Sequence, residues 1–156
     1  MKAIVTGSFD PFTLGHLEIV RYACSKFDTV YVVALINETK EYMFTLEERK
    51  KIIELSTLNF ENVIVDAYDG LTSDYMHKND INYIVRGVRN ENDLVYEQSL
   101  AKKMEEFDEN FHTILVNCSE ERKSISSTLV KERIKKGKKI VNFVHKNAIE
   151  FIKQKK

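Results

Sequence analysis

Ala3-Ile4-Val5-Thr6-Gly7-Ser8-Phe9-Asp10-Pro11-Phe12-Thr13-Leu14-Gly15-His16 reads as a buried strand, a loop and a helix start in immediate succession. Ala3–Thr6 is short and apolar, the pattern of a strand covered on both faces. Glycine at 7 and 15 lets backbone come close to a ligand, and a helix amino terminus favours anions. The single proline, Pro11, falls in this loop, so the later helices and strands are unbroken. Neither a GxGxxG nor a GxxxxGKS/T pattern is present, which sets aside the dinucleotide fingerprint and the P-loop. Leu17, Val20, Cys24 and Phe27 then recur at helical spacing.

Strand and helix signals continue to alternate outward from this unit. Thr29–Ile36 is a continuous, largely β-branched run, a second strand covered on both faces. Thr45-Leu46-Glu47-Glu48 is a capping box opening a helix to about Leu58. A third strand is expected at Asn62–Ala67, a short helix at Leu71–Lys78 and a fourth strand at Ile81–Val85. A long helix follows from about Glu91 to Phe107, then a fifth strand at Phe111–Val116. Another helix begins near Ser126 or Ser127, and a last one near Lys146, whose neighbours Val144, Ala148, Phe151 and Ile152 are placed to dock on the body. This alternation predicts an α/β fold: a single-domain, Rossmann-like doubly wound sheet over residues 1–156, with five mainly parallel strands and helices on both faces. Ligands of such sheets bind beyond the carboxyl ends of the strands, where the topology switches. That directs attention to the connections after strands one, two, four and five.

Composition narrows the partners. The chain carries 24 basic and 24 acidic residues, so its formal net charge is zero, which argues against a nucleic-acid ligand. Phosphate binding remains open to such a chain if its cations converge locally. Cys24 and Cys118 lie in separate elements without metal-ligand spacing, so neither a disulfide scaffold nor a zinc site is expected. Cys24 falls on the apolar face of its helix and reads as a small buried hydrophobe. No apolar run approaches the roughly 20 residues that span a bilayer. Met1–Val5 leads directly into a strand pattern, so the cytoplasm is the expected compartment.

Four connections carry residues suited to phosphate chemistry. The first holds His16, although a histidine at a helix start also has a bland reading, as a polar first-turn residue. The second, Asn37–Phe44, offers Lys40 as a point charge for phosphate; alone it would read as a surface lysine. The third, Arg86-Gly87-Val88-Arg89, is expected directly after strand four, where two arginines flanking a glycine can grip phosphate oxygens. Downstream, Glu97 shares a helical stripe with Leu94, Ala101 and Met104, so it needs a partner, either a nearby basic residue or a ligand. In the fourth, Ser126, Ser127 and Thr128 stand together at a helix start, more hydroxyls than capping alone requires.

Thr13-Leu14-Gly15-His16 resembles the T/HxGH motif of HIGH-type nucleotidyltransferases. Within that superfamily, Met43–Arg49, Arg86–Arg89, Tyr96-Glu97 and Ile125–Glu132 resemble, in order and approximate spacing, the motifs of bacterial phosphopantetheine adenylyltransferases. The resemblance covers nearly the whole chain. It implies transfer of AMP from ATP to 4′-phosphopantetheine, giving dephospho-coenzyme A and pyrophosphate by direct in-line attack, with Mg²⁺ held mainly by substrate phosphates. It implies that Ser8, Phe9, His16, Gly87, Val88, Arg89, Glu97 and Arg122 through Thr128 (Arg122, Lys123, Ser124, Ile125, Ser126, Ser127, Thr128) meet ATP. Ser8, Lys40, Thr72 and Arg86 would meet phosphopantetheine. His16, Lys40 and Arg89 would stabilise the transferring and leaving phosphates. It further implies a homohexamer of two trimers and raises feedback binding of coenzyme A.

Three departures from the family pattern stand out. Ser8 replaces a common threonine, Thr72 replaces an apolar residue of the pantetheine pocket, and Arg122-Lys123-Ser124 replaces an aromatic-Ser-Phe segment. One rival reading is a cytidylyltransferase of the same superfamily, acting on glycerol phosphate or choline phosphate. Another is a catalytically idle sensor of ATP or coenzyme A. The carboxy-terminal lysines, Lys153, Lys155 and Lys156, read as a solvated helix end.

Overall fold

The computed structural model describes residues 1–36 and 39–155, so Asn37, Glu38 and Lys156 of the motifs above lie outside the described residues. Five strands form one sheet: β1 (Lys2–Gly7), β2 (Thr29–Leu35), β3 (Val63–Tyr68), β4 (Tyr83–Val88) and β5 (His112–Asn117). Their order is β3-β2-β1-β4-β5 and all neighbours are parallel, the doubly wound α/β architecture read from the sequence. The helices are α1 (Leu14–Lys26), α2 (Leu46–Ser56), α3 (Thr72–Asn79), α4 (Glu91–Phe107), α5 (Ser127–Lys135) and α6 (Ile149–Gln154), the last entered through a 3₁₀ turn at Lys146–Ala148. Among the described residues, no helix is long and apolar enough to cross a membrane.

Period-two alternation along each strand divides the core between the two faces. Ala3, Val5, Val30, Val32, Ala34 and Val85 join α1, α2 and the carboxy-terminal segment in the larger cluster. Ile4, Val33 and Ile84 point the other way, onto Tyr75 and Met76 of α3 and onto Ile81 and Phe111. Val144, Ala148 and Ile152 are buried in the larger cluster, and Phe151 packs against it half-buried. Cys24 is half-buried at the edge of the same cluster.

Helix boundaries follow their caps. The box at Thr45 is present, with the Thr45 hydroxyl accepting from the Glu48 amide and Glu48 accepting from the Thr45 amide. Lys155 is not a free helix end: its Nζ donates to Glu48 Oε1 at 2.9 Å, fastening the end of the chain to the start of α2. Asn90 caps α4, whose range agrees with the sequence reading.

Strands three, four and five each begin and end further along the chain than their apolar residues suggest. The largest change concerns β4, which was expected to stop at Val85. It continues through Arg86, Gly87 and Val88, because these pair in register with Leu115, Val116 and Asn117 of β5. Three of the four residues expected in a loop are thus fixed in the sheet, and only Arg89 lies beyond it.

Met76 is fully buried at the centre of the smaller cluster. Met76→Ala should therefore lower stability by about 2–5 kcal/mol in a urea unfolding series. A cost below about 1 kcal/mol would mean that this face of the sheet is not closed by α3.

Candidate active site at the switch point

The sheet parts where its topology reverses. β1 and β4 stay in register only at Ala3–Tyr83 and Ile4–Ile84, whereas the β1–β2 ladder runs on to Gly7–Ala34 and the β4–β5 ladder to Val88–Asn117. A cleft of about 440 Å³ lies beyond the split. It is lined from all four predicted connections: Ser8, Phe9 and His16; Lys40; Arg86, Gly87, Arg89 and Glu97; and Arg122, Ile125, Ser126, Ser127 and Thr128. Val88, Lys123 and Ser124 are not among the lining residues. Val88 is buried at the strand end, and Lys123 donates to Glu120 on the surface. Thr72 lies instead on a second cavity of about 350 Å³ between the sheet and α4.

The first loop is held by a buried carboxylate. Asp10, 2% exposed, accepts from the Phe44 amide through Oδ1 and from the Met43 amide through Oδ2, each at 2.9 Å. The Lys131 amine of α5 stands 3.3 Å from Oδ2. One side chain thus joins the first loop, the segment after Lys40 and the helix of the fourth connection. Arg49, also 2% exposed, adds a second tie: its Nη1 donates to the carbonyls of Ser8 (2.7 Å) and Leu35 (2.9 Å). The Tyr42 ring lies 4.0 Å from its guanidinium carbon, an arrangement suited to a cation–π contact. Phe9, between these anchors, takes a left-handed backbone (φ 49°), uncommon for an aromatic residue.

His16 serves as both cap and site residue. The Thr13 amide donates to His16 Nδ1 at 2.9 Å, and the His16 amide donates to the Thr13 hydroxyl. With Nδ1 accepting, the neutral imidazole carries its proton on Nε2. The ring sits among Phe9 and Phe12, at centroid distances of 5.0 and 5.4 Å. Burial, then the Arg89 and Arg86 charges, lower its pKa to about 4. It is therefore a neutral N–H donor at pH 7.

The two arginines differ in freedom. Arg86 donates Nε to Glu97 Oε2 and Nη2 to Glu97 Oε1, both at 2.8 Å, and Nη1 to the Thr6 carbonyl (3.0 Å) and hydroxyl (3.2 Å). Burial alone would depress its pKa, but the Glu97 hydrogen bonds and charge outweigh it and raise the value. Arg89 makes a looser pair, with Nε 3.4 Å from Asp93. Gly87 lies between them under α1, where a Cβ would stand 2.9 Å from Cγ1 and Cδ1 of Ile19. Glycine here lets helix and strand pack closely. Lys40 and Arg122 make no ion pair among the described residues.

The three hydroxyls of the fourth connection divide their work. Ser126 caps α5 through the Leu129 amide, and Ser127 donates to the Pro11 carbonyl at 2.8 Å. Thr128 is exposed on the cleft and its hydroxyl has no partner among the described residues. The preceding turn is tied to α1 by Glu18, which accepts from the amide and hydroxyl of Ser119 at 2.7 Å each. Cys118 also lines the cleft, but burial pushes its thiol pKa up, so it is not a ready nucleophile.

Sequence reading did not single out Asp10, Arg49, Lys131 or Glu18. The signal for Asp10 was a carboxylate inside an otherwise small and apolar loop; the others look like ordinary helix-surface charges.

Two outcomes follow from these contacts. A proton NMR titration of the free protein should place His16 at about 4, against its ordinary 6.5. Its folded value lies below its unfolded one, so its contribution to stability is present above about 6.5 and lost as pH falls toward 4. Replacing His16 by Gln should flatten that acid slope, and a titration near 6.5 would remove the case for a neutral donor. Asp10→Ala leaves the buried Phe44 amide and the half-buried Met43 amide unpaired and should cost about 3 kcal/mol or more in urea unfolding. A cost under about 1 kcal/mol would place the junction of the connections elsewhere.

The fold is similar to that of a Vibrio parahaemolyticus crystal structure provisionally identified as a nicotinate-nucleotide adenylyltransferase. The two share 20% sequence identity at a TM-score of 0.73, over 97% of each chain. Residues 4–133 match the family described as Cytidylyltransferase-like, which spans β1 through most of α5 and takes in all four connections of the cleft. The chain belongs to this family of nucleotidyltransferases.

Proposed function

We propose that this nucleotidyltransferase transfers AMP from ATP to 4′-phosphopantetheine. The observation that carries the proposal is the meeting of His16, Lys40, Arg86 and Arg89 on one cleft, with a second cavity sharing its wall. The cleft has the chemistry of a triphosphate site: an α5 start whose Thr128 hydroxyl has no partner among the described residues, a neutral imidazole N–H, and cations from three connections. The adjoining cavity is lined by Leu35, Ile36, Ile84, Leu100, Ala101 and Met104, with Thr72 at its side. A long, weakly polar tail suits such a lining; glycerol phosphate and choline phosphate have none. Support for phosphopantetheine over those acceptors comes from this cavity and from the motifs resembling that enzyme family.

A phosphate monoester with a second pKa of about 6 is mostly dianionic at neutral pH, so its oxygen needs no general base. That oxygen attacks the α-phosphorus of ATP, forming a new P–O bond. The bond from the α-phosphorus to the α,β-bridging oxygen breaks, and pyrophosphate leaves with its electron pair. Catalysis then consists of holding two anions in line and stabilising charge as it moves. Arg86 is assigned to the acceptor phosphate and Lys40 to that phosphate and the α-phosphate. His16 is assigned as a donor to oxygens that gain charge, and Arg89 with the start of α5 to the departing pyrophosphate. Mg²⁺ would add charge neutralisation. Asp10, Asp93 and Glu97 are engaged with cations, and no cluster of three metal-ligating side chains occurs among the described residues. This donor set fits an ion held by substrate oxygens and water.

Incubation with ATP, Mg²⁺ and 4′-phosphopantetheine should release pyrophosphate. CTP in place of ATP, or glycerol 3-phosphate or nicotinate mononucleotide in place of phosphopantetheine, should give less than about a tenth of that rate. His16→Ala and Lys40→Ala should each lose at least about 10²–10³ in kcat with the circular dichroism spectrum retained. Faster turnover with another acceptor would replace the substrate assignment. ATP binding without any acceptor-dependent pyrophosphate release would turn the reading to a nucleotide sensor.

A further inference from the structure

The fourth connection passes the cleft as a turn, residues 119–125, between the end of β5 and the start of α5. Its entry is tied to the sheet, where the Cys118 amide donates to the Val88 carbonyl at 2.9 Å. Ser119 is the hub on which the turn is wound. Its carbonyl accepts from the Arg122 and Lys123 amides at 3.0 and 3.1 Å, and the Arg122 carbonyl accepts from the Ile125 amide at 3.1 Å. Its own amide and hydroxyl donate to Oε1 and Oε2 of Glu18, each at 2.7 Å. Bonds to an ionised acceptor are the stronger kind, and here two of them fix one residue. Arg122 and Ile125 of this turn line the cleft, whereas Glu18, half-buried on α1, does not. A second contact between α1 and the turn lies one helical turn earlier. A Cβ at Gly15 would stand 3.7 and 3.8 Å from the carbonyl oxygens of Ile125 and Arg122. Positions 15 and 18 share a helix face, and His16 stands between them in sequence with its ring on the cleft. The same helix thus carries the imidazole donor and holds the wall of Arg122 and Ile125, and the Glu18 fork sets the spacing between the two.

We propose that Glu18 is a positioning residue for nucleotide binding: it touches no substrate, and through Ser119 it holds Arg122, Ile125 and the start of α5 at the spacing from His16 that a nucleotide needs. This rests on the reading that the cleft takes ATP. A connection free to shift would have to be ordered when the nucleotide binds, at an entropic cost that lowers affinity. The fork orders it beforehand. Its effect is confined to one substrate, because neither Glu18 nor any residue of 119–125 lines the second cavity, where the acceptor is assigned.

The test compares wild type with Glu18→Ala and Glu18→Gln. Both variants remove the same charge and both residues suit a helix, so a difference between them reports the two bonds. Glutamine can keep both, its oxygen accepting from the Ser119 amide and its NH₂ donating to the Ser119 hydroxyl. ATP affinity is measured by calorimetry without acceptor, and KM for 4′-phosphopantetheine by pyrophosphate release at saturating ATP. The ATP Kd is expected to rise at least about fivefold in Glu18→Ala and to return most of the way in Glu18→Gln, while the acceptor KM stays within about twofold in both. In the free protein, hydrogen exchange at the Arg122, Lys123 and Ile125 amides should quicken about fivefold or more in Glu18→Ala and be largely restored in Glu18→Gln. A smaller rise in ATP Kd would overturn the proposal, as would a loss that falls on the acceptor KM, a Glu18→Gln variant as weak as Glu18→Ala, or unchanged exchange. If wild type binds no ATP, the nucleotide reading itself fails. The exchange comparison needs no ligand, so it separates that failure from a failure of Glu18 to hold the turn.

Discussion

The arrangement of the site depends on the parting of β1 from β4 after Ile4 and Ile84. Two parallel strands that stayed paired to their ends would leave no room at the switch point. Parting them exposes backbone groups that must find other partners, since an unpaired buried carbonyl costs about as much as a lost hydrogen bond. Arg86 takes the Thr6 carbonyl at the split, and at the ends of β1 and β2 Arg49 takes those of Ser8 and Leu35. Long cationic side chains thus satisfy carbonyls at and beyond the strand ends.

Each such side chain brings a charge indoors, and each charge needs its own compensation. Arg86 has Glu97 in a bidentate pair. Arg49 has the Tyr42 ring, although its Nε has no hydrogen bond among the described residues. Asp10, buried more deeply than either partner of an ordinary surface pair, has two amides and Lys131. The Asp10 contacts join residues 33 to 121 positions apart, so the connections are held to one another as well as to the sheet. Preorganisation of this kind suits a nucleotidyltransferase, whose site must hold phosphates in place and stabilise charge as it moves between them.

The large elements were legible because their signals are local. The alternation of apolar runs with helical stripes yielded the sheet and its helices, and the Thr45–Glu48 box and the range of α4 were readable from a few adjacent residues. Strand four was cut short because Arg86 and Gly87 carry no β signal; only their register with Leu115 and Val116 puts them in the sheet. The site residues were legible as types: a histidine at a helix start, arginines at a strand end, hydroxyls at a cap. Their partners were not. Nothing in the order of residues says that the Glu97 carboxylate meets Arg86 face to face, that Ser127 binds the Pro11 carbonyl, or that Thr13 fixes the His16 tautomer. Those are consequences of distance, and they decide how many hydrogen bonds each group still has to give.

That accounting changes the electrostatic picture of the cleft. A chain of zero net charge that binds anions suggests a local excess of cations, yet Lys40, Arg86, Arg89, Arg122 and Lys131 share the cleft with Asp10, Glu41, Asp93 and Glu97. His16, which could have added a charge, is neutral because it is buried beside two arginines. Selectivity for phosphate cannot then rest on a bare positive hole. It rests on direction: an imidazole N–H fixed on Nε2, a guanidinium with an N–H to spare, and the exposed Thr128 hydroxyl at a helix start. Lys40, exposed, and Arg122, half-buried, have no carboxylate partner among the described residues and are the cations left to meet the incoming charge. A site built this way tolerates being empty, since most of its charges are already compensated. It discriminates when full, since only a ligand whose oxygens meet those fixed donors recovers the water it displaces.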